Sequence, residues 1–190
     1  MNWKLYMIII GCTPKGRLTE QHDTFFGIAK NLKDLVPKMV AFWPEAKGEI
    51  HIDAWREVTS VEGYSIEIIG KNETQNTSEK LFFMNLGGYK PGEFEEYHYK
   101  LLTVAETLSI ATKSSKENAF YKHYGFKGAT SHIDEKYGID IDNAYKVQDI
   151  LDSECKENFQ LKITKKENIA EDHLHIGYLK ISKLLKSTDL

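Results

Sequence analysis

Two short apolar runs, each ended by a glycine, are the first segments of this 190-residue chain that predict buried structure. Residues 5–10 are continuously apolar and stop at Gly11, which is typical of a central strand covered on both faces. Residues 81–86 repeat the pattern before a second glycine. Residues 50–55 and 64–69 alternate between apolar and polar positions, which predicts two half-buried strands.

A helical period follows each glycine. Over residues 19–43 apolar side chains recur every three or four positions together with His22, and Thr19 is suited to cap the helix. Pro37 is expected to bend or interrupt it. Residues 94–118 carry a similar stripe without a proline. The pattern therefore predicts two long helices.

The two regions align with each other. At an offset of 76 positions, residues 5–29 lie over residues 81–105 without a gap, and six of the 25 pairs are identical. The identical pairs include the glycines, a glutamate and a histidine. An internal repeat of this length indicates a duplicated structural unit.

A second window aligns at an offset of 81. There residues 51–53 lie over residues 132–134, both reading His-Ile-Asp, and Tyr64 lies over Tyr145. The two windows together predict an α+β fold in which a β-α-β-β unit is duplicated. The copies form a mixed sheet of about six strands packed by two long helices, and a C-terminal strand pair adds to the sheet edge. The predicted division is 1–70 for the first repeat, 71–80 for a polar linker, 81–150 for the second repeat and 151–190 for a C-terminal extension, with the repeats sharing one core.

Composition excludes several classes of partner. The formal net charge is −3 and no basic run occurs, so we expect neither nucleic-acid binding nor attraction to an anionic membrane. No apolar run reaches the roughly 20 residues of a membrane helix. The two cysteines, Cys12 and Cys155, form no metal-binding or disulfide pattern, which favours a cytoplasmic location.

The string IIIGCTPKGRLTEQHDTFFGIAKNLKDLVP, followed by FWPEAKGEIHIDAWREV and VEGYSIEI, resembles the bacterial family known as domain of unknown function 1543. The resemblance implies a bacterial protein with one or two copies of the domain, here two. It supplies no activity and no catalytic residues. The second copy departs from the pattern, because Arg17, Asp23 and Trp55 correspond to Glu93, Tyr99 and Lys136 in the alignment.

The glycine loops are the first candidate site. Each is predicted to join a strand to a helix, where free N–H groups and the helix dipole favour an anion. A phosphate-binding P-loop is excluded, because Arg17-Leu18 replaces the required Lys-Ser/Thr pair. The alternative is that the glycines only shape a tight turn. The candidate ligand-binding residues are Gly11, Lys15, Gly16, Arg17, Gly87, Gly92 and His98.

His22 is the candidate acid or base, with Glu20 or Asp23 as its partner. The alternative is that His22 and His98 only fasten their loops. A third pattern, His51-x-Asp53, is repeated as His132-x-Asp134. On a strand both side chains share a face, so these four residues are weak metal-ligand candidates, and a solvated face is the simpler interpretation.

The leading hypothesis is a protein that binds a small anionic molecule at the glycine loops. A structural or interaction module is the main alternative, in which sheet edges or the aromatic residues Trp43, Trp55 and Tyr64 form a partner or homo-oligomer surface. A metal-dependent enzyme that uses the His-x-Asp strands is the third. The sequence alone leaves the cofactor and the reaction open.

Overall fold

The structure is a computed structural model that describes residues 2–75, 77–89, 92–124 and 140–187, with only the backbone described for 117–124 and 140. Contacts divide the chain into two compact units. Unit 1 is Met1–Gln75 with Leu151–Leu190, and unit 2 is Asn76–Ile150.

The strands form three sheets, and every strand pair in the described residues is antiparallel. The strands are β1 (Lys4–Cys12), β2 (Gln21–Ala29), β3 (His51–Glu57), β4 (Ser60–Val61), β5 (Tyr64–Gly70), β6 (Lys80–Tyr89), β7 (Glu96–Ala105), β8 (Asp140–Lys146), β9 (Phe159–Lys165) and β10 (His175–Lys180). The helices are α1 (Val36–Phe42), α2 (Leu108–Tyr124), α3 (Val147–Ile150), α4 (Ser153–Asn158) and α5 (Ile181–Leu184), with 3-10 turns at Leu32–Leu35 and Pro44–Ala46. None of the helices in the described residues is long and apolar enough to cross a membrane.

Unit 1 contains two of the sheets, in the orders β10-β3-β1-β2 and β4-β5-β9. One face of the larger sheet carries the core. Ile8 and Ile10 of β1 are fully buried there against Leu35 and Met39, which belong to the segment between β2 and β3. Burying such side chains contributes about 1.5–3 kcal/mol each. The opposite face of β1 and β3 is therefore the one that is free to carry polar side chains.

Unit 2 contains the third sheet, in the order β7-β6-β8. Phe82, Met84 and Leu86 alternate along β6 and pack with Ala105 of β7 and Ala111 of α2. Gly87 follows this alternation onto the other face of β6.

The prediction of two long helices joined to the first strands is wrong. Residues 21–29, expected to be helical, form β2 and pair with β1 from Lys4↔Ala29 to Cys12↔Gln21. Residues 96–105 form β7 in the same way, and of the helix predicted over 94–118 only residues 108–118 are helical, in α2. The last six residues of β2 are all buried, so burial on both faces hides the period of two that identifies a strand. Thr19 caps no helix.

Pro37 lies in the first turn of α1, where its missing N–H is harmless, and does not bend a longer helix. The single mixed sheet is replaced by three antiparallel ones. The predicted C-terminal strands exist, but they do not pair with each other. β9 pairs with β5, and β10 pairs with β3 at the edge of a different sheet.

The second alignment window is also displaced. It placed Tyr145 over Tyr64, yet Tyr64 begins β5 whereas Tyr145 lies on β8 opposite Phe83. The strand of unit 2 that pairs with β6 as β3 pairs with β1 is therefore β8. His132 and Asp134 lie outside the described residues.

Candidate functional site

Gly11 lies in the middle of a cross-strand row. It pairs with His22 of β2 on one side and with His51 of β3 on the other. Cross-strand partners project their side chains on the same face of a sheet. Because Gly11 has no side chain, both imidazoles have room to lean over it. The row therefore brings together two histidines that stand 29 positions apart in the sequence.

Two carboxylates complete the cluster. Nε2 of His22 lies 3.3 Å from Oδ2 of Asp53 and 3.6 Å from Oε2 of Glu20. Nε2 of His51 lies 3.0 Å from Oε1 of Glu20 and 3.3 Å from Oδ1 of Asp53. Each carboxylate thus stands between the two histidines. We call Glu20, His22, His51 and Asp53 the His–carboxylate cluster.

A β-bulge places Asp53 in the cluster. Ile10 pairs with Ile52 and Ile9 pairs with Ala54, so Asp53 is an extra residue in β3. A bulge bends its strand and redirects the side chain of the extra residue. Strict alternation over residues 50–55 would place Trp55 on the same face as His51. The bulge moves Trp55 to the other face, where it packs against the core beside Ile52.

His51 is the buried member of the cluster. It is 8% exposed, and its ring lies 4.4 Å, centroid to centroid, from that of Tyr178. Its Nε2 and Oδ2 of Asp53 are buried and have no hydrogen-bond partner among the described residues. The nearby charges are within ion-pair distance, but a short distance without hydrogen-bond alignment does not satisfy a buried polar atom.

The other side chains of the cluster are open to solvent. The side chains of His22, Glu20 and Asp53 are 42%, 44% and 28% exposed, respectively. The cluster therefore has a buried floor at His51 and an accessible rim, the arrangement of a site that a small ligand can reach.

The loop between β1 and β2 holds the other predicted residues of the first copy. The N–H of Arg17 donates to the carbonyl of Pro14, and Gly16 has a φ of +86°, so the loop tip is a turn that favours glycine. Lys15 and Arg17 are exposed, and neither side chain forms a hydrogen bond or ion pair with another described residue. The loop joins two strands, so the helix N-terminus expected there is absent.

Asp23 does not join His22. Its carboxylate accepts a hydrogen bond of 2.6 Å from the backbone N–H of Thr24, and it pairs with Ile10, which is on the core face of β1, opposite to the cluster. The partner of His22 that the sequence did not identify is Asp53. The sequence analysis selected Asp53 only as a weak metal-ligand candidate and not as a neighbour of His22.

Unit 2 has a smaller cluster around Gly87, which pairs with His98 and with Asp140. Nε2 of His98 lies 3.4 Å from Asp142 and 4.0 Å from Glu96. The pairing of β6 with β8 also shifts register, between Asn85 and Leu86. Gly92, in the loop that follows β6, has a φ of +81°.

Asp142 was missed from the sequence. The chain contains two similar strings, His-Ile-Asp at 132–134 and Asp-Ile-Asp at 140–142, and identity to residues 51–53 favoured the first. The signal for the second lies in the next three residues. Asp142 is followed by Asn-Ala-Tyr and Asp53 by Ala-Trp-Arg, so each places an aromatic residue shortly after the carboxylate.

Within the part of the chain that the structure describes, no group of three or more His, Cys, Asp or Glu side chains is positioned to hold a metal ion as it stands. A further pair of histidines lies at the start of the edge strand, where His175 is the first residue of β10 and His173 precedes it. The ring of His175 stacks on that of Trp55 at 3.7 Å, and burial, with the neighbouring His173, lowers the pKa of His175.

Residues 17–68 match the family described as Domain of Unknown Function (DUF1543), which confirms the resemblance over that part of the chain. The crystal structure of a protein Il1583 from Idiomarina loihiensis is similar in fold, with a TM-score of 0.55 and 19% sequence identity. The match covers 94% of this chain and 97% of that one. No curated protein matches the sequence significantly.

Proposed function

We propose that unit 1 is a binding domain for a small polar molecule or ion, and that the His–carboxylate cluster at Gly11 is its site. The main support for the proposal is that Nε2 of His51 and Oδ2 of Asp53 are buried and have no hydrogen-bond partner among the described residues. An unsatisfied buried polar group costs about 1–3 kcal/mol. A ligand that bonds to both atoms would recover that free energy, so the arrangement favours a bound state.

The charges of the cluster favour a cation or a hydrogen-bond donor. Glu20 and Asp53 are two carboxylates within 3.0–3.6 Å of the imidazole nitrogens, so with neutral histidines the cluster carries two negative charges. An anion at the same point would be repelled. The anionic ligand suggested by the glycine loops is therefore better placed at the exposed Lys15 and Arg17, away from the histidines.

A catalytic version of the proposal uses His22 as acid or base. His22 is accessible, and Asp53 at 3.3 Å is its nearest carboxylate. A carboxylate next to a histidine orients the ring and stabilises the imidazolium. The partner we propose is therefore Asp53, with Glu20 second and Asp23 set aside because it bonds to the backbone.

We also propose that the two units derive from one ancestral unit. The paired residues Gly11 and His22 of unit 1 align with the paired residues Gly87 and His98 of unit 2 at the same offset. In both units the central strand also shifts register against one neighbour, β1 against β3 and β6 against β8. Asp140 lies where unit 1 has His51. The two sites would then not be equivalent, because unit 2 has one histidine at its glycine.

The interaction-module alternative has less support. Trp43 and Trp55 pack partly buried against the core of unit 1, and Tyr64 lies on the other sheet of that unit. They do not form one exposed aromatic face on a single sheet. The metal site shared between two His-x-Asp strands requires His132 and Asp134, which lie outside the described residues.

Histidine side-chain NMR of the full chain tests the proposal. A set of small polar probes that includes amines, carboxylates and inorganic phosphate is added, together with divalent metal ions. We expect at least one probe to shift the ring signals of both His22 and His51. In His51→Phe, the same probe should no longer shift the ring signal of His22. His173→Phe, on an exposed position of the same unit, is the matched control. If every probe leaves both rings unchanged, the proposal is wrong.

A further inference from the structure

We propose that the ligand of the His–carboxylate cluster is a single divalent transition-metal ion of the zinc or cobalt class. The inference rests on the proposed binding function and names its ligand. The proposed metal site differs from the one suggested by the sequence. Its second histidine comes from β2 of the same unit and not from a second His-x-Asp strand.

The donor set is the first argument. The two imidazole nitrogens favour Zn²⁺, Co²⁺ and related ions, which also accept carboxylate oxygens, whereas Mg²⁺ and Ca²⁺ prefer oxygen alone. Both histidines turn the same atom, Nε2, towards the carboxylates. A site with two nitrogen and two oxygen donors is therefore available without any residue from elsewhere in the chain.

The spacing of the donors is the second argument. Ligands bound to tetrahedral Zn²⁺ at about 2.0–2.1 Å are separated from one another by about 3.3 Å. The four nitrogen–oxygen distances in the cluster are 3.0, 3.3, 3.3 and 3.6 Å. The four distances run to four different oxygens, so the side chains are close to the separation that a metal ion would impose but do not yet share one centre.

The third argument is the state of His51. It is more than nine-tenths buried, and its Nε2 has no hydrogen-bond partner among the described residues although it faces the two carboxylates. A neutral imidazole offers a lone pair at that atom, and a metal ion would accept it. The ring of Tyr178 lies against the imidazole and restricts its orientation.

The present arrangement requires a small change before it can hold an ion. Each carboxylate now turns one oxygen towards each histidine, and no three of the side chains hold a metal as they stand. The terminal torsions of Asp and Glu are broad, so each carboxylate can turn to give one oxygen to a common centre. Asp53 and the histidines are held by the sheet, whereas Glu20 belongs to the exposed loop. Glu20 is therefore the exchangeable ligand.

Cobalt binding to the full chain tests the inference. The protein is stripped with a chelator and titrated with Co²⁺, whose visible absorption reports tetrahedral coordination, and Zn²⁺ affinity is measured by competition. We expect one equivalent at unit 1. Loss of a ligand should weaken binding at least as much as loss of an outer partner, about 10–100-fold. His22→Ala and His51→Ala should both do so, and Glu20→Gln should have the smallest effect of the ligand substitutions.

His173→Ala, which removes an exposed histidine of unit 1 outside the cluster, is the matched control and should leave the affinity unchanged. His22 is exposed, so its variant keeps the test valid if His51→Ala fails to fold. The inference is overturned if no tetrahedral cobalt spectrum appears, or if His22→Ala binds as tightly as the wild type. If metals do not bind but polar probes still shift His22 and His51, the metal inference fails and the binding function stands. If neither occurs, both fail.

Discussion

Nε2 of His51 lies 2.5 Å from the point that a β-carbon on Gly11 would occupy. Oδ2 of Asp53 is equally close to that point. Real β-carbons essentially never show such contacts, so any side chain at this position would force His51 and Asp53 to move. The cluster exists because the central residue of the row has no side chain.

Gly11→Ala should therefore disturb the cluster. The added methyl group must push both His51 and Asp53 aside, and such overpacking costs typically about 1–3 kcal/mol. We expect loss of the proposed ligand binding together with a lower free energy of unfolding, measured by denaturant titration.

The control is Gly87→Ala. There the new carbon would meet Asp142 at 2.7 Å, but the substitution lies in unit 2 and should leave binding at His22 and His51 unchanged. Unaltered binding in Gly11→Ala would contradict the role assigned to the glycine.

Asp152 provides a pH-dependent prediction. Its burial raises the pKa, but hydrogen bonds from Cys155 and Lys38 outweigh burial, so the pKa of Asp152 is lower than usual. A carboxyl group with a lowered folded-state pKa stabilises the fold above its unfolded pKa of about 3.9, and the contribution disappears as pH falls through the folded value. Asp152→Asn should thus be destabilising at pH 7 and nearly neutral at low pH.

Asp152 also caps α4, since its side chain accepts a hydrogen bond from the N–H of Cys155 at 2.8 Å. Asn caps a helix as well as Asp does, so Asp152→Asn isolates the charge. Asp152→Ala should cost about 1 kcal/mol more, the typical value of a cap. Urea denaturation at both pH values measures the two effects. An equal loss for both variants would show that the cap contributes nothing.

The pKa of His175 should be lower than that of an ordinary histidine. Burial against Trp55 and the positive charge of protonated His173 both oppose its protonation, and Glu57 only partly offsets them. A pKa that is lower in the folded state means that stability falls as pH drops below the unfolded value of about 6.5. NMR titration of the ring protons measures the pKa directly. His173→Gln should raise the pKa of His175, and no change would exclude the coupling.

The core face of the larger sheet should respond to truncation. Leu35 is fully buried against β1, so Leu35→Ala should lower the free energy of unfolding by about 2–5 kcal/mol. Phe42, which is 45% exposed at the end of α1, is the control, and Phe42→Ala should have a clearly smaller effect. Thermal or chemical unfolding compares the two. Equal losses would mean that the segment between β2 and β3 does not cover this sheet.

Four strands could be predicted locally, two from a short apolar run ended by glycine and two from alternation of apolar and polar positions. β1, β3, β5 and β6 lie where the sequence placed them, within two or three residues at each end. β2 could not be predicted in this way. Its six buried residues fit a helix as well as a strand, and the decision comes from pairing with β1, which is not a local property.

The composition of the site could not be predicted for the same reason, because it depends on strand pairing. Gly11, Glu20, His22, His51 and Asp53 were all selected from the sequence, but in three separate hypotheses. Only the register of β1 against its two neighbours shows that they belong together. A helix at residue 22 would have kept His22 away from His51.

The extra residue in β3 has a consequence for how this segment can evolve. Deletion of Asp53 would leave Ala54 opposite Ile9 and Trp55 opposite Ile8, so the later side chains of the strand would keep their faces. Trp55 would stay packed against the core, and Arg56 would keep its place beside Asp172, which lies 3.8 Å from it. Loss of this one residue would therefore remove a carboxylate of the cluster and leave the sheet intact.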